Sequence, residues 1–267
     1  MSILRALRSA SSDRFPVLGS VALRPVRYGG TKGGIPFPLP TEPIAGLVCR
    51  SAASPQVALF HLTTNCYGLL DLAPGPHRLL VSDPRGRYLP RATAATLPDR
   101  EPLRQALARG ASSPPIVPPP PLLTVPLRPV PGSPLRGAET AFWGRVLGGD
   151  GRPLPLAWIR VTTAQGVYIT HSDMAGDYLA PLPFLAPQLP GGDDDDVPVV
   201  EFPATVRVHA LKASPAPGSA PLDVLPADFD ALVPGTPDFE AVYAAVPVTE
   251  ADHDITVGTQ PRLDLQP

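Results

Sequence analysis

Proline occurs forty times in 267 residues, about three times ordinary usage. No other property of the chain restricts its fold as much. The proline ring fixes φ, removes an N–H and clashes with the preceding helical turn, so long helices are excluded. Hydrophobic residues make up 43% of the chain and charged residues 17%. That balance supplies apolar surface to bury and argues against wholesale disorder. The expected fold class is all-β, with short strands, proline-stiffened connections and short helices. The length suffices for two domains of ordinary size.

Alternating apolar runs place the strands. FPVLGSVALRPVRY (15–28) reads as one, followed by a loop punctuated by Gly29, Gly30, Gly33 and Gly34. IAGLVCR (44–50), VALFHLT (57–63), LLDL (69–72) and HRLLVSD (77–83) follow, with turns every eight to twelve residues, the spacing of a β-sandwich. Asp99 is placed to cap a short helix that Gly110 ends. Residues 111–134 then read as an extended polyproline-type spacer, with a ligand for an SH3-type domain as the functional alternative. Beyond it, AWIRVTT (157–163) and GVYITHS (166–172) read as a hairpin over Ala164-Gln165, and ATVRVHALKA (204–213) as a later strand. Thr236 and Pro237 open a helix over 236–246, and HDITVGT (253–259) returns as a strand.

The chain also carries a degenerate internal repeat. Asn65 and Gly68 stand in the same relation as Asp173 and Gly176, each pair marking a turn before an alternating strand. The copies lie too far apart for a solenoid and fit two similar domains. The expected organisation is an N-terminal arm and first strand over 1–34 and a first β-sandwich over 35–98. A helix and Pro-rich linker over 99–134 lead to a second β-sandwich with a long insertion over 135–267.

Formal net charge is −2, which points to neither nucleic acid nor an anionic membrane. No apolar run reaches the length of a membrane span or a signal-peptide core, so a soluble protein of the cytoplasm is expected. Cys49 and Cys66 are the only cysteines. A bridge between them is geometrically open, and the compartment argues against it.

No constellation predicts catalysis or a cofactor. The five histidines sit singly. His171-Ser172-Asp173 is a triad fragment only on paper, because neighbours along a strand point to opposite faces. Asp173 is better read as a turn residue bonding its own backbone. Asp193, Asp194, Asp195 and Asp196 form an acidic run whose mutual repulsion demands solvent. A calcium site is the sharper reading of that run, but the spacing of a ligand loop is missing. Trp143 and Trp158 fall on neighbouring expected strands; core packing or a subunit contact is the first reading, and a carbohydrate platform the second.

The stretch FWGRVLGGDGRPLPLAWIRVTTAQGVYITHSDMAGDYLAPL resembles carboxypeptidase-regulatory-like and transthyretin-like modules. The resemblance rests on Gly144, Asp150-Gly151-Arg152-Pro153-Leu154, the strand from Ala157 to Val161, and Asp173-x-x-Gly176-x-Tyr178. In the first half only Asn65-x-x-Gly68 and the following LAPGPHRLLV match, with His77 where the family has an aromatic. The order of degenerate module, helix, proline-rich strap and better module resembles structural proteins of contractile phage tails and phage-tail-like injection systems. That resemblance implies a cytoplasmically assembled, non-enzymatic cap, collar or baseplate-associated subunit. Its partners would be other subunits in a homo-oligomeric ring or sheath, tube and baseplate neighbours. The arm 1–28, the strap 111–134 and the segment 214–250 would drape over those neighbours. Two other readings stand beside it: a carbohydrate- or surface-binding accessory module, and a transthyretin-like hydrolase. The final TVGTQPRLDLQP does not match the C-terminal motif of such hydrolases.

Overall fold

The computed structural model describes residues 19–37, 39, 42–99, 101–109, 120–135, 139–185, 201–216, 218–227 and 229–267. Their fold is mostly β. In chain order the strands are β1 (Gly19–Arg27), β2 (Thr31–Lys32), β3 (Ile35–Pro36), β4 (Val48–Ser51), β5 (Leu59–His61), β6 (Cys66–Leu70), β7 (Gly75–Ser82), β8 (Arg91–Leu97), β9 (Leu122–Leu127), β10 (Ala141–Arg145), β11 (Trp158–Thr163), β12 (Val167–His171), β13 (Asp177–Pro181), β14 (Glu201–His209) and β15 (Thr249–Thr256). The helices are short: α1 (Glu101–Ala108), α2 (Pro221–Val224), a 3₁₀ turn (Phe229–Ala231) and α3 (Pro237–Val242). No helix among the described residues is long and apolar enough to cross a membrane.

The chain divides into two compact units, and the division differs from the expected boundaries. The first unit takes the described residues up to Val26, those from Glu42 to Arg85, and those from Pro90 to Leu127. The second takes the described residues from Arg27 to Leu39, Gly86–Leu89, and those from Arg128 onward.

The first unit holds a four-stranded sheet in the order β5-β6-β1-β9 and a three-stranded sheet in the order β4-β7-β8. Residues 19–26 are therefore not part of an arm. β1 lies inside its sheet because Val21 and Leu23 need burial, and both obtain it. Part of the expected proline spacer is also strand. Leu122–Leu127 forms edge strand β9, with Val125 and Leu127 buried. Pro126 is tolerated there because an edge leaves one side of the strand unpaired. Residues 110–119 lie outside the described residues. Asp99 accepts a hydrogen bond from the Glu101 amide (2.9 Å) and caps α1 as its sequence suggests. Cys49 and Cys66 are both buried and both free thiols. Burial pushes the Cys49 thiol up to about 12, which keeps it neutral and unreactive.

The second unit is built on a six-stranded sheet, β15-β14-β11-β12-β2-β3, with β10 and β13 forming a separate antiparallel pair. The glycines at 29–34 do not make an open loop. Thr31–Lys32 and Ile35–Pro36 fold into a tight hairpin whose first strand pairs with β12 through Thr31 and Val167. β11 and β12 form the expected hairpin, closed by the Thr163 hydroxyl accepting from the amides of Gln165 (3.1 Å) and Gly166 (3.2 Å).

One face of the six-stranded sheet is covered along its length, and the other is covered around Trp158 while Arg207 and Glu250 stay exposed there. On one, Ile159, Val161, Tyr168, Val206, Val208 and Ile255 pack with Phe142, Val146, Tyr178 and Ala180 of β10 and β13. On the other, Trp158 packs with Leu156, Leu225, Phe229, Leu232, Phe239 and Tyr243. The Trp158 ring stands edge-on to Phe239 (5.2 Å between centroids) and to His209 (5.6 Å). The described part of the segment 214–250 therefore lies on its own sheet and is not a free drape. The apolar spacing of Leu225, Phe229, Leu232 and Phe239 had a face to fill. Thr236 caps α3 by accepting from the Phe239 amide (3.4 Å), with Pro237 at the first helical position.

Arg128 fastens this cover. Its side chain is buried, pairs with Asp230, donates from Nε to the Ile169 carbonyl, and lies 4.0 Å from the Tyr28 ring centroid. Burial opposes its charge, but Asp230, Tyr28 and Tyr168 outweigh that and raise its pKa.

Replacing Trp158 by alanine is expected to cost about 3–5 kcal/mol of unfolding free energy, as deletion of a large buried ring does. Urea denaturation of the two proteins measures this. A loss below about 1 kcal/mol would mean that the helical segment does not pack on β11.

Candidate interaction edge on the second unit

β10 has two sides to satisfy. One pairs with β13 in antiparallel register, Trp143 opposite Leu179 and Arg145 opposite Asp177. The other is filled by the segment 259–266, which runs parallel to β10. Five backbone bonds hold it. The amides of Ala141, Trp143 and Leu147 donate to the carbonyls of Thr259 (3.1 Å), Pro261 (3.4 Å) and Leu265 (2.8 Å). The amides of Leu263 and Leu265 donate back to Trp143 (2.7 Å) and Arg145 (2.8 Å).

Side-chain alternation explains the seat. Phe142 and Val146 face the core, while Trp143 and Arg145 face outward. Gly144, between the inward pair, leaves room for the incoming chain: a Cβ there would collide with the Leu263 carbonyl. Leu265 is buried in the same core as Phe142, and Leu263 packs against it. The Tyr178 hydroxyl donates to the Leu263 carbonyl (2.7 Å). Burial and the neighbouring Asp264 push that phenol above its ordinary pKa, so it stays a donor.

Outside, charges alternate. Asp264 accepts from the Arg145 amide (3.0 Å) and pairs with Arg262 (3.0 Å), and Arg145 pairs with Asp177 (2.7 Å). The hydrogen bond from Arg262 holds the Asp264 carboxyl below the ordinary carboxylate range, partly offset by desolvation and helped by the Arg145 amide and both guanidinium charges. The Asp177 hydrogen bond and charge raise Arg145. Exposed pairs of this kind contribute little stability. The backbone bonds and Leu265 therefore carry most of the attachment. Trp143 is 42% exposed, donates from its indole to the Gln260 carbonyl (2.9 Å), and has the Arg262 guanidinium 5.6 Å from its ring centroid.

Next to this edge stand the loops that carry the module-like pattern. The Asp173 carboxylate accepts from the amides of Ala175 (2.8 Å) and Asp177 (3.0 Å), and Gly176 takes a φ of +81°. A Cβ on Gly176 would lie 2.8 Å from Cβ of Pro153. The turn at 173–176 is thus pressed against Pro153, and Val146, just past β10, is held between them: its amide donates to the Gly176 carbonyl (2.8 Å) and its carbonyl accepts from the Leu154 amide (2.9 Å).

The remaining marked residues fall elsewhere. Asn65 does occupy a turn, with φ of +52°, but Gly68 lies inside β6, opposite Ala22 on one side and Leu59 on the other. The two halves share a sequence pattern there without sharing a turn. Trp158 is fully buried and offers no surface, and β10 and β11 are in different sheets, so the two tryptophans form no common platform. His171, Ser172 and Asp173 have separate uses. The His171 ring packs on Phe229, and the Ser172 hydroxyl donates to the Leu154 carbonyl (2.7 Å) while accepting from the Ala157 amide (2.9 Å). Among the described residues no group of three or more His, Cys, Asp or Glu is arranged to hold a metal. Asp193, Asp194, Asp195 and Asp196 lie outside the described residues.

The segment 259–266 was missed by sequence reasoning, although its signal was present. Leu263 and Leu265 alternate with Arg262 and Asp264, the period of a half-buried strand. Pro261 obscured it, since proline demotes a strand assignment.

Comparison of the chain with family models, with curated proteins and with solved structures finds no match.

Gly144→Val is expected to eject the segment 259–266 while the sheets remain. Amide hydrogen exchange at Leu263 and Leu265 should then accelerate at least about tenfold, equivalent to about 1.4 kcal/mol of local stability. Unchanged protection would mean that the segment does not sit where Gly144 makes room. Acid is expected to loosen the same attachment. A carboxyl whose pKa is lowered in the attached form contributes fully above its detached pKa, and the contribution is lost as pH falls through the attached value. Protection of Leu263 should hold constant from neutral pH down to the ordinary carboxylate range and decline below it. An Asp264→Asn variant should have lower protection at neutral pH and a flatter decline.

Proposed function

We propose that the chain is a non-enzymatic structural or adaptor subunit of a contractile tail-like particle, cap-, collar- or baseplate-associated, built from two transthyretin-like β-sandwich units. The observation that carries the reading is the β10 edge, which takes up an extended segment as an added strand through backbone bonds. Strand addition is a general way for β modules to recognise extended chain. Proline-rich segments suit such contacts because less freedom is lost when they become ordered. The module-like pattern, with Gly144, Asp150-Gly151, Asp173 and Gly176 surrounding this edge, supports the β-sandwich assignment. The order of the two halves supports the particle assignment by resemblance alone. A carbohydrate-binding role has only the half-exposed Trp143 to draw on, since Trp158 is buried.

The test is expression of the gene with its chromosomal neighbours, followed by sedimentation of particles. The chain is expected to co-sediment with sheath and tube, and removal of its gene should leave particles that are incomplete or do not contract. Intact, contracting particles formed without the chain, or a neighbourhood that yields no particle, would overturn the reading.

A further inference from the structure

We propose that the segment 259–266 is an exchangeable strand, and that copies of this chain join when it leaves its own β10 and pairs with β10 of a second copy. This rests on the reading of the β10 edge as a contact site, and it names the occupant.

The seat and the strand are matched in three ways. Gly144 provides a notch for the Leu263 carbonyl, the core provides a socket for Leu265, and Asp264 meets the Arg145 amide. All of these contacts can be remade between copies, so the closed and exchanged forms differ mainly at the link and in concentration. That link is short. Thr256 ends β15, and Thr259 already bonds β10; in between, the Thr259 amide donates to the Thr256 carbonyl (3.1 Å) and Gly258 has φ of +79°. A change of φ and ψ at one glycine redirects everything after it, and short hinge loops favour exchange. The outward residues Gln260, Arg262 and Asp264 are polar and exposed, so the exchanged strand needs no further cover. The vacated socket, by contrast, is apolar and flanked by unpaired backbone groups of β10, and an identical strand refills it completely.

Two measurements on the purified full chain test this. Deleting Val257 and Gly258 leaves the segment unable to reach its own β10. Light scattering after gel filtration should then report a dimer or larger species, which the free peptide 259–266 in excess dissolves. A folded, monomeric deletion variant would overturn the proposal. In the second, Gly144→Val, with a competent segment but a blocked seat, is mixed with Leu265→Asp, with an open seat but a defective segment. Each alone should be monomeric and the mixture should give a species of doubled mass. If the mixture stays monomeric while the free peptide binds the Leu265→Asp protein, the seat accepts a strand but copies do not exchange, and the proposal fails. Should Gly144→Val not fold, as circular dichroism would reveal, the deletion variant decides alone. Both measurements need no particle, so their failure leaves the particle assignment to its own test.

Discussion

A strand with buried apolar side chains on both faces needs cover on both, and β11 is such a strand at its Trp158 end. Ile159 and Val161 point to one side and Trp158 to the other, all of them buried. The rest of the second unit is arranged around that requirement. β10, β13 and the segment 259–266 cover the Ile159 face, and the helical stretch from Leu225 to Tyr243 covers the Trp158 face. Neither cover is a strong element by itself. α3 spans six residues and the 3₁₀ turn three, too short to be stable without tertiary packing. Aromatic rings supply that packing: Phe239 stands 5.2 Å from Trp158 and 4.9 Å from His209, and Phe229 stands 5.2 Å from His171. Arg128 adds a buried charge, paired with Asp230 on the 3₁₀ turn and bonded to β12 at Ile169.

Proline shapes the sheets as well as the connections. Pro25, Pro36, Pro76, Pro126, Pro181 and Pro203 all fall inside strands. Each sits where the strand has a paired neighbour on at most one side. Pro126 and Pro36 are on edge strands, and Pro181 is in a two-stranded pair. Pro76 pairs with Thr96 of β8 but precedes the stretch of β7 that pairs with β4. Pro203 pairs with Asp254 but lies beyond the stretch of β14 that pairs with β11. Pro25 lies past the residues of β1 that pair with β6. Since proline has no N–H to donate, this distribution limits how far each sheet extends and leaves defined edges.

The sequence was legible where a local rule acts alone. The β11–β12 hairpin, the caps at Asp99 and Thr236, and the outward placement of Trp143 and Arg145 all follow from alternation or from a side chain bonding its own backbone. It misled where a distant partner decides. Leu122–Leu127 reads as spacer because of its prolines, yet Val125 and Leu127 find a core only once β1 is beside them. Gly68 reads as a turn marker from its distance to Asn65. Its place inside β6 depends on pairing with Ala22 and Leu59, which spacing cannot reveal. The first reading of Trp158, core packing, agrees with its burial, but which residues cover it depends on the stretch near 229 and 239 folding back over β11.

The candidate edge shows the same dependence from the other direction. Gly144 and Gly176 can each be taken as flexible turn residues, but only Gly176 has a positive φ. Gly144 is ordinary strand backbone, and what excludes a side chain there is the neighbouring chain at Leu263. A glycine required by proximity instead of by conformation marks a place where a second strand lies close, whichever copy supplies it. For β10 the backbone pairing is largely indifferent to the outward side chains, since Arg145, Arg262 and Asp264 are exposed charges that contribute little and the Trp143 indole bonds a backbone carbonyl, that of Gln260. Selectivity must therefore reside in the notch at Gly144 and the socket for Leu265. On the exchange proposal, an edge with these two features would accept an extended strand with an apolar residue two positions beyond the point of closest approach and reject one without it.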